Sequence, residues 1–439
     1  MHILKWLYPG MRFKRWLILF AGGVLLVSLG LALVFNYKYL DHIEEAIFRY
    51  VYLWRGSYDY TATALVGSLI VVAGLLVMGL ATHYVVRSIV TVLLPSDSNL
   101  VDLIYEKRLL NKGPAVTVIG GGHGLSVLLR GIKKATTNVT AIVTVADDGG
   151  SSGRLREELG IIPPGDMRNC LVALADTEPL MERLFQYRFD TGNELAGHSF
   201  GNLFIAAMNE VTGGDMEKAL QESSKVLAVK GRVLPSSTAH IRLDAVMDDG
   251  SVVCGESNIP TAKKQIRRVQ LFPEHVKPVA SALAAIREAD AVVLGPGSLY
   301  TSIIPNLLID GVADALRESK AIKIYICNVL TQPGETDGYT ASQHVKAIID
   351  HAGPGVIDYV LVNSTELSPQ IAATCAEVGA YPVTIDEKAL TALGVGFVSA
   401  DLVSWQDNVH HDPQKLTDNV MKMVYELRSK MEAADCYRE

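Results

Sequence analysis

The sequence predicts an α/β fold: a mostly parallel sheet flanked by helices, with a small antiparallel insertion, preceded by an N-terminal hairpin of two transmembrane helices. Three observations carry this expectation. The first ninety residues hold two long runs almost free of charge. From Val116 onward, short apolar runs alternate with helical patterns, the signature of strands wound through crossover helices. Two of those apolar runs end directly in glycine-rich loops.

Trp16 to Phe35 contains no charged residue, and Thr61 to Val86 contains only His83 as an ionisable group. Each run reaches the roughly 20 residues that span a bilayer core. Residues 1–90 therefore read as a membrane anchor, with spans at about 16–35 and 61–86. A second span and the lack of a small-residue cleavage site before it argue against a signal peptide. Lys5, Arg12, Lys14 and Arg15 precede the first span, and Arg87, Lys107, Arg108 and Lys112 follow the second. The intervening loop mixes Lys38, Arg49 and Arg55 with Asp41, Glu44, Glu45 and Asp59. Counting Lys and Arg near the span ends places both termini and the main domain on the cytoplasmic side of the inner membrane. Trp16, Tyr37 and Tyr84 read as interfacial anchors. Residues 91–114 form a juxtamembrane connector, in which Ser96-Asp-Ser98 caps a short helix running to Leu110 and Gly113-Pro114 ends it.

Residues 115–439 read as the cytoplasmic domain. Strand candidates are 116–119, 139–145, 291–294, 322–327, 359–362 and 382–384. Residues 168–231 look mainly helical, and 233–272 read as the antiparallel insertion, turning at Asp248-Asp-Gly250. The charged stretch 413–435 is helical, either docked or frayed. Five scattered cysteines argue against a zinc cluster or a disulfide framework. A net charge of −7 without basic blocks gives no sign of nucleic-acid binding.

The loops carry the chemistry. Gly120-Gly-Gly-His-Gly124 follows the first strand and opens a helix, whose N-terminal N–H groups favour an anion. It is not the dinucleotide fingerprint, because the third glycine of that spacing falls on Leu125. Asp147 and Asp148 end the second strand and lead into Gly149-Gly-Ser151-Ser-Gly. Carboxylates there can bind ribose hydroxyls, hold Mg²⁺ or act as a base. Arg168 offers a bidentate fork for phosphate beside Asn169, with Asp166 either orienting it or capping its helix. His198, Ser199 and Asn202 face a ligand or cap a helix. Gly295, Gly297, Ser298 and Thr301 form another strand-to-helix passage, and Asn328, Gln332 and Glu335 offer hydrogen bonds to a base or sugar.

Taken in order, Gly120–Gly124, Ala146–Gly153, Pro164–Arg168, His198–Asn202, Gly295–Thr301 and Asn328–Thr336 resemble the bacterial gluconeogenesis factor family. That family is related to the 2-phospholactate transferases of deazaflavin cofactor biosynthesis. The resemblance spans roughly residues 115–435 and leaves out the membrane hairpin. It implies a Rossmann-like cytoplasmic domain that binds a UDP-sugar, such as UDP-N-acetylglucosamine or UDP-glucose. It also implies a role in cell shape and envelope synthesis during gluconeogenic growth. Gly121, Gly122 and Gly124 would approach the diphosphate, with His123 in the same loop. Asp147 and Asp148 would match the carboxylates near acceptor and metal in the transferase relatives, while Gly297, Ser298, Thr301 and Asn328 would line the cleft.

Two functions compete on these residues. One is a sensor that binds a nucleotide sugar without chemistry, needs no cofactor and relays its state to peptidoglycan-synthesis proteins. The other is a transferase with Mg²⁺ on Asp147 or Asp148 and Arg168 as a cationic clamp. A β-branched residue at Gly122 is expected to abolish binding and spare the fold. Tyr300 and Thr301 are modification candidates if exposed. Self-association to a homo-oligomer is left open.

Overall fold

The computed structural model describes residues 14–35, 49–50, 52–53, 60–93, 109–176, 179–192, 194–404 and 410–436. The chain divides into two units, residues 1–107 and 108–439.

In the first unit, helices Lys14–Val34 and Tyr60–Leu93 pack antiparallel along a seam of small residues. A Cβ on Gly30 would stand 2.7 Å from the Gly67 carbonyl oxygen, and one on Gly74 would stand 2.9 Å from that of Gly23. Only glycine permits such approach, and close backbone packing is what associates helices when no apolar area is left to hide from water. Trp16 stacks on Tyr84 at 4.2 Å, tying the start of one helix to the far end of the other. Both helices are long and apolar enough to cross a bilayer. Tyr37 and residues 96–108 of the expected connector helix lie outside the described residues.

The second unit is built on a seven-stranded parallel sheet. Its strands are β1 (Val116–Gly120), β2 (Val139–Val143), β3 (Arg232–Pro235), β7 (Ala291–Leu294), β8 (Ile322–Ile326), β9 (Tyr359–Asn363) and β10 (Gly396–Ala400). Every residue of β1, β2, β7 and β8 is buried, as expected where helices cover both faces. The order is β10-β9-β8-β7-β1-β2-β3. The chain winds outward one way from β1 and the other way from β7, so the winding reverses between these two neighbours. Loops diverging from their carboxyl ends leave a crevice there, the usual ligand position in such sheets.

A second sheet, β4 (Arg242–Met247), β5 (Val252–Cys254) and β6 (Ile266–Phe272), is antiparallel in the order β5-β4-β6. It is the expected insertion, entered later than expected. Val233–Pro235 pairs parallel with β2 at the edge of the main sheet, where Pro235 is tolerated. Residues 382–384 are not a strand; they make one isolated bridge, Leu330 to Pro382. The remaining strand is instead Gly396–Ala400, a glycine-led, half-exposed segment whose pattern did not announce it.

The C-terminal helix Pro413–Cys436 is docked. Leu416, Val420, Met421, Met423 and Val424 are buried along it. It lies so close to helix Gly122–Ile132 that a Cβ on Gly131 would stand 2.1 Å from the Thr417 hydroxyl and 2.3 Å from the Pro413 carbonyl oxygen. Gly131→Ala is therefore expected to destabilise this unit by about 1–3 kcal/mol through overpacking. In urea unfolding the midpoint should fall with the slope unchanged; an unaltered midpoint would mean the contact is not structural.

Candidate functional site

A cleft of about 1030 Å³ occupies the crevice at the reversal of winding. Its walls are the loops after β1, β2, β7 and β8, the helix Gly165–Leu174 and the insertion. Of the residues singled out from sequence, Gly122, His123, Gly124, Asp147, Gly149, Ser151, Arg168, Asn169, Asn202, Gly297, Ser298, Thr301, Asn328 and Gln332 line it. Gly120, Gly121, Asp148, His198, Ser199 and Gly295 stand behind the wall.

The glycines of the first loop answer mainly to the protein itself. A Cβ on Gly121 would meet the Ser302 hydroxyl at 2.5 Å, and one on Gly124 would meet the Pro296 carbonyl oxygen at 2.3 Å. On Gly122 it would stand 2.5 Å from the Cα of Asp166. The expectation that Gly122 could be enlarged without harm to the fold is therefore wrong: the space belongs to the backbone of the next helix. Asp166 also corrects the reading of its own role. It makes no side-chain cap on its own helix, Gly165–Leu174; its carboxylate accepts the Gly122 N–H, at the start of the neighbouring helix. A protein carboxylate thus occupies part of the helix N-terminus expected to hold phosphate.

The two aspartates part company. Asp147 faces the cleft and accepts the Gly149 N–H at 2.9 Å. Asp148 turns away and accepts the N–H groups of Glu256 and Ser257, both at 2.9 Å, clasping the insertion. Among the described residues, no group of three or more His, Cys, Asp or Glu side chains is arranged to hold a metal ion.

Arg130, Arg168 and Arg188 are in the lining of the cleft. Arg168 is only 8% exposed. Its guanidinium donates to the Ser199 hydroxyl and, at 2.8 Å, to Asn169 Oδ1, while Nε has no partner. Burial, with Arg188 nearby, lowers its pKa. Gly201 leaves room for this side chain, since a Cβ there would stand 2.7 Å from Arg168 Cδ. Ser199 also caps helix Phe200–Val211 by accepting the Asn202 N–H. Behind the wall, His198 Nδ1 lies 3.0 Å from the Ser151 hydroxyl, which accepts from Asn202 Nδ2 at 3.1 Å. The histidine thus partners Ser151, 47 residues away, and not its neighbour Ser199. Burial lowers the His198 pKa.

Acidic groups share this lining, and buried Glu335 lies behind it. Glu256, which sequence reasoning passed over, lines the cleft, and its carboxyl is pushed up to about 8 by burial and by Asp147. Asp166 is raised to about 6 by burial and by Asp147, against the Gly122 N–H and Arg168. Glu335 is buried, raised to about 7 by desolvation, and its Oε2 has no partner. Also in the lining runs a chain of hydrogen bonds, Asn328 Nδ2 to Gln332 Oε1 at 3.0 Å and Gln332 Nε2 to the Ser298 hydroxyl at 2.8 Å. Ser298 begins a single π-helical turn, Leu299–Ile303, a local form frequent at functional sites. Tyr300 and Thr301 within it are 2% and 3% exposed, so neither offers a surface for modification. Glu256, Arg130 and Arg188 carried no motif; only the folded topology brings them to the cleft.

The family model for 2-phospho-L-lactate transferase CofD matches residues 116–403. The gluconeogenesis factor of Halalkalibacterium halodurans is 55% identical over 70% of this chain and 95% of its own length. That of Bacillus subtilis strain 168 is 50% identical over 72% of this chain and its entire length. A relative from Nostoc sp. strain PCC 7120 is 47% identical over 95% of this chain and 92% of its own. A crystal structure from Bacillus halodurans, 54% identical, superposes with a TM-score of 0.69 over 71% of this chain and all of that one.

Gly122→Ala should lower the melting temperature, whereas Gly149→Ala, whose Cβ finds Asp147 Oδ1 at 3.4 Å, should leave it unchanged. Equal melting of both variants would refute the packing argument. A pH effect follows from Glu335, whose carboxyl rises from 4.5 to about 7 on folding. The folded state binds the extra proton, so its contribution is complete below pH 4.5 and lost as pH rises through about 7. Melting of the ligand-free protein should decline over that window, and less so in Glu335→Gln.

Proposed function

Given that the chain belongs to the gluconeogenesis factor family, we propose that it is a nucleotide-sugar-binding regulator of envelope synthesis and cell shape during gluconeogenic growth. Its ligand is UDP-N-acetylglucosamine or UDP-glucose. The observation that carries this reading is Arg168: a guanidinium held in the cleft wall by Ser199 and Asn169, with Nε left without a partner. A buried donor without a partner calls for an acceptor, and a diphosphate supplies one with matching charge. Asn169 and Arg188 stand on the same cleft lining. The Asn328–Gln332–Ser298 chain offers the mixed donors and acceptors that sugar hydroxyls need.

The transferase reading draws on the family model that matches residues 116–403. Its paired carboxylates fit a metal poorly, because both Asp148 oxygens are taken by main-chain N–H groups. We derive no metal-dependent step from this site.

In the same proposal the two apolar helices are a membrane anchor, with both termini and the main domain on the cytoplasmic side of the inner membrane. The partners are then proteins of peptidoglycan synthesis working at that surface.

Calorimetric titration of the detergent-solubilised chain with UDP-N-acetylglucosamine, UDP-glucose, NAD and GDP tests the reading. A UDP-sugar should bind selectively without Mg²⁺ and be recovered unchanged; Mg²⁺-dependent consumption would establish the transferase instead. Arg168→Gln should weaken binding roughly thirtyfold, the loss of one charge-assisted contact worth about 2 kcal/mol. Unchanged affinity in that variant would dismiss Arg168 as the anion receptor.

A further inference from the structure

The first turn of helix Phe200–Val211 packs directly on Arg168. Ser199 caps that helix, and its hydroxyl accepts from the Arg168 guanidinium and, at 3.2 Å, from the Asn202 N–H. Gly201 makes the approach possible: a Cβ there would also meet the Phe185 carbonyl oxygen at 2.6 Å. One hydroxyl therefore joins Arg168 to Asn202, and both residues belong to the cleft lining.

The Asn202 amide is held at one end only. Its Nδ2 donates to the Ser151 hydroxyl at 3.1 Å, which leaves that hydroxyl's own hydrogen for His198 Nδ1, 3.0 Å away. Donation along such a chain polarises the amide and strengthens its carbonyl end as an acceptor. That end, Oδ1, is buried without a partner, in a side chain only 2% exposed. A buried carbonyl oxygen calls for a donor, an O–H or N–H. A phosphate oxygen, itself an acceptor, does not answer it. The same stretch of lining thus leaves one donor, Arg168 Nε, and one acceptor, Asn202 Oδ1, without partners.

We propose that Asn202 is a specificity-determining residue of the cleft, its Oδ1 accepting a hydrogen bond from the substituent on C2 of the ligand's sugar, and that Ser151 is its positioning residue. The inference rests on the nucleotide-sugar reading and deepens it. With the diphosphate on Arg168, the sugar donor nearest to it is the group on the carbon next to the anomeric one. In glucose that group is a hydroxyl, and in N-acetylglucosamine it is an amide N–H. Both donate, so Asn202 admits either sugar and disfavours one that carries only hydrogen at C2. Ser151 and His198 fix which end of the amide is left free.

The test is calorimetry of the full chain in detergent micelles with UDP, UDP-glucose, UDP-2-deoxyglucose and UDP-N-acetylglucosamine. The parent should bind UDP-2-deoxyglucose about tenfold more weakly than UDP-glucose, the loss expected when a buried acceptor is deprived of its donor. In Asn202→Ala that ratio should fall to about one, the two deletions removing the same contact. UDP-glucose and UDP-N-acetylglucosamine should both weaken in this variant, while UDP binds as it does to the parent. The variant keeps the main-chain N–H that bonds Ser199, so the helix cap survives. Ser151→Ala should also lower the ratio and leave UDP unaffected, a pattern that loss of a merely structural contact would not produce. Arg168→Gln, by contrast, should weaken every ligand alike. Equal binding of UDP-glucose and UDP-2-deoxyglucose by the parent overturns the proposal, and this comparison needs no variant to fold. A ratio that persists in Asn202→Ala overturns it too, because C2 is then read elsewhere. So does a loss of UDP affinity in Asn202→Ala equal to that of UDP-glucose. A parent chain that binds no UDP-sugar removes the nucleotide-sugar reading, and this inference with it.

Discussion

Everything in the sheet domain depends on how closely the loops after β1 and β7 approach each other. The two strands are neighbours in the sheet, and the chain leaves them in opposite directions. Gly124 lies against the Pro296 carbonyl, a contact that leaves no room for a side chain, and Gly120 faces Gly295. This backbone proximity lets the helix Gly122–Ile132 start immediately at the sheet edge. It also brings Asp166, from a third element, onto that start. The cleft is what remains in front of these tightly joined walls.

The electrostatics follow from the same crowding. Arg168, Asp147, Asp166 and Glu256 share one cavity because the loop after β2, the helix Gly165–Leu174 and the insertion all reach its lining. Burial raises the carboxyl pKa of Asp166 and Glu256, and the neighbouring charge of Asp147 adds to it.

Much of this was legible before the fold was seen. Five of the seven parallel strands stood out because burial on both faces makes them continuous apolar runs, and the glycine-rich loops marked their carboxyl ends. β3 hid in the reading of the insertion, and β10 carried too little apolar character to stand out. In the site, motif reading found the loops but misjudged what some residues face. Asp147 and Asp148 are adjacent in sequence, yet alternate direction gives one to the cleft and the other to the insertion. Gly122 looked like space for a ligand and is space for Asp166. Glu256 lay in a polar turn with no distinguishing pattern, and the carboxylates that raise its pKa come from three other segments of the chain.

The docking of Pro413–Cys436 on Gly122–Ile132 has a consequence for how the chain is made. The first helix of the sheet domain leaves the ribosome early, and the surface that covers it is synthesised last. Until then that helix keeps an uncovered apolar face, although all seven strands of the sheet, the last ending at Ala400, have already been made. Folding of this domain must wait for nearly complete translation, as contacts between distant segments generally slow it. Truncation before residue 413 would leave the nascent domain with that face permanently open and prone to association.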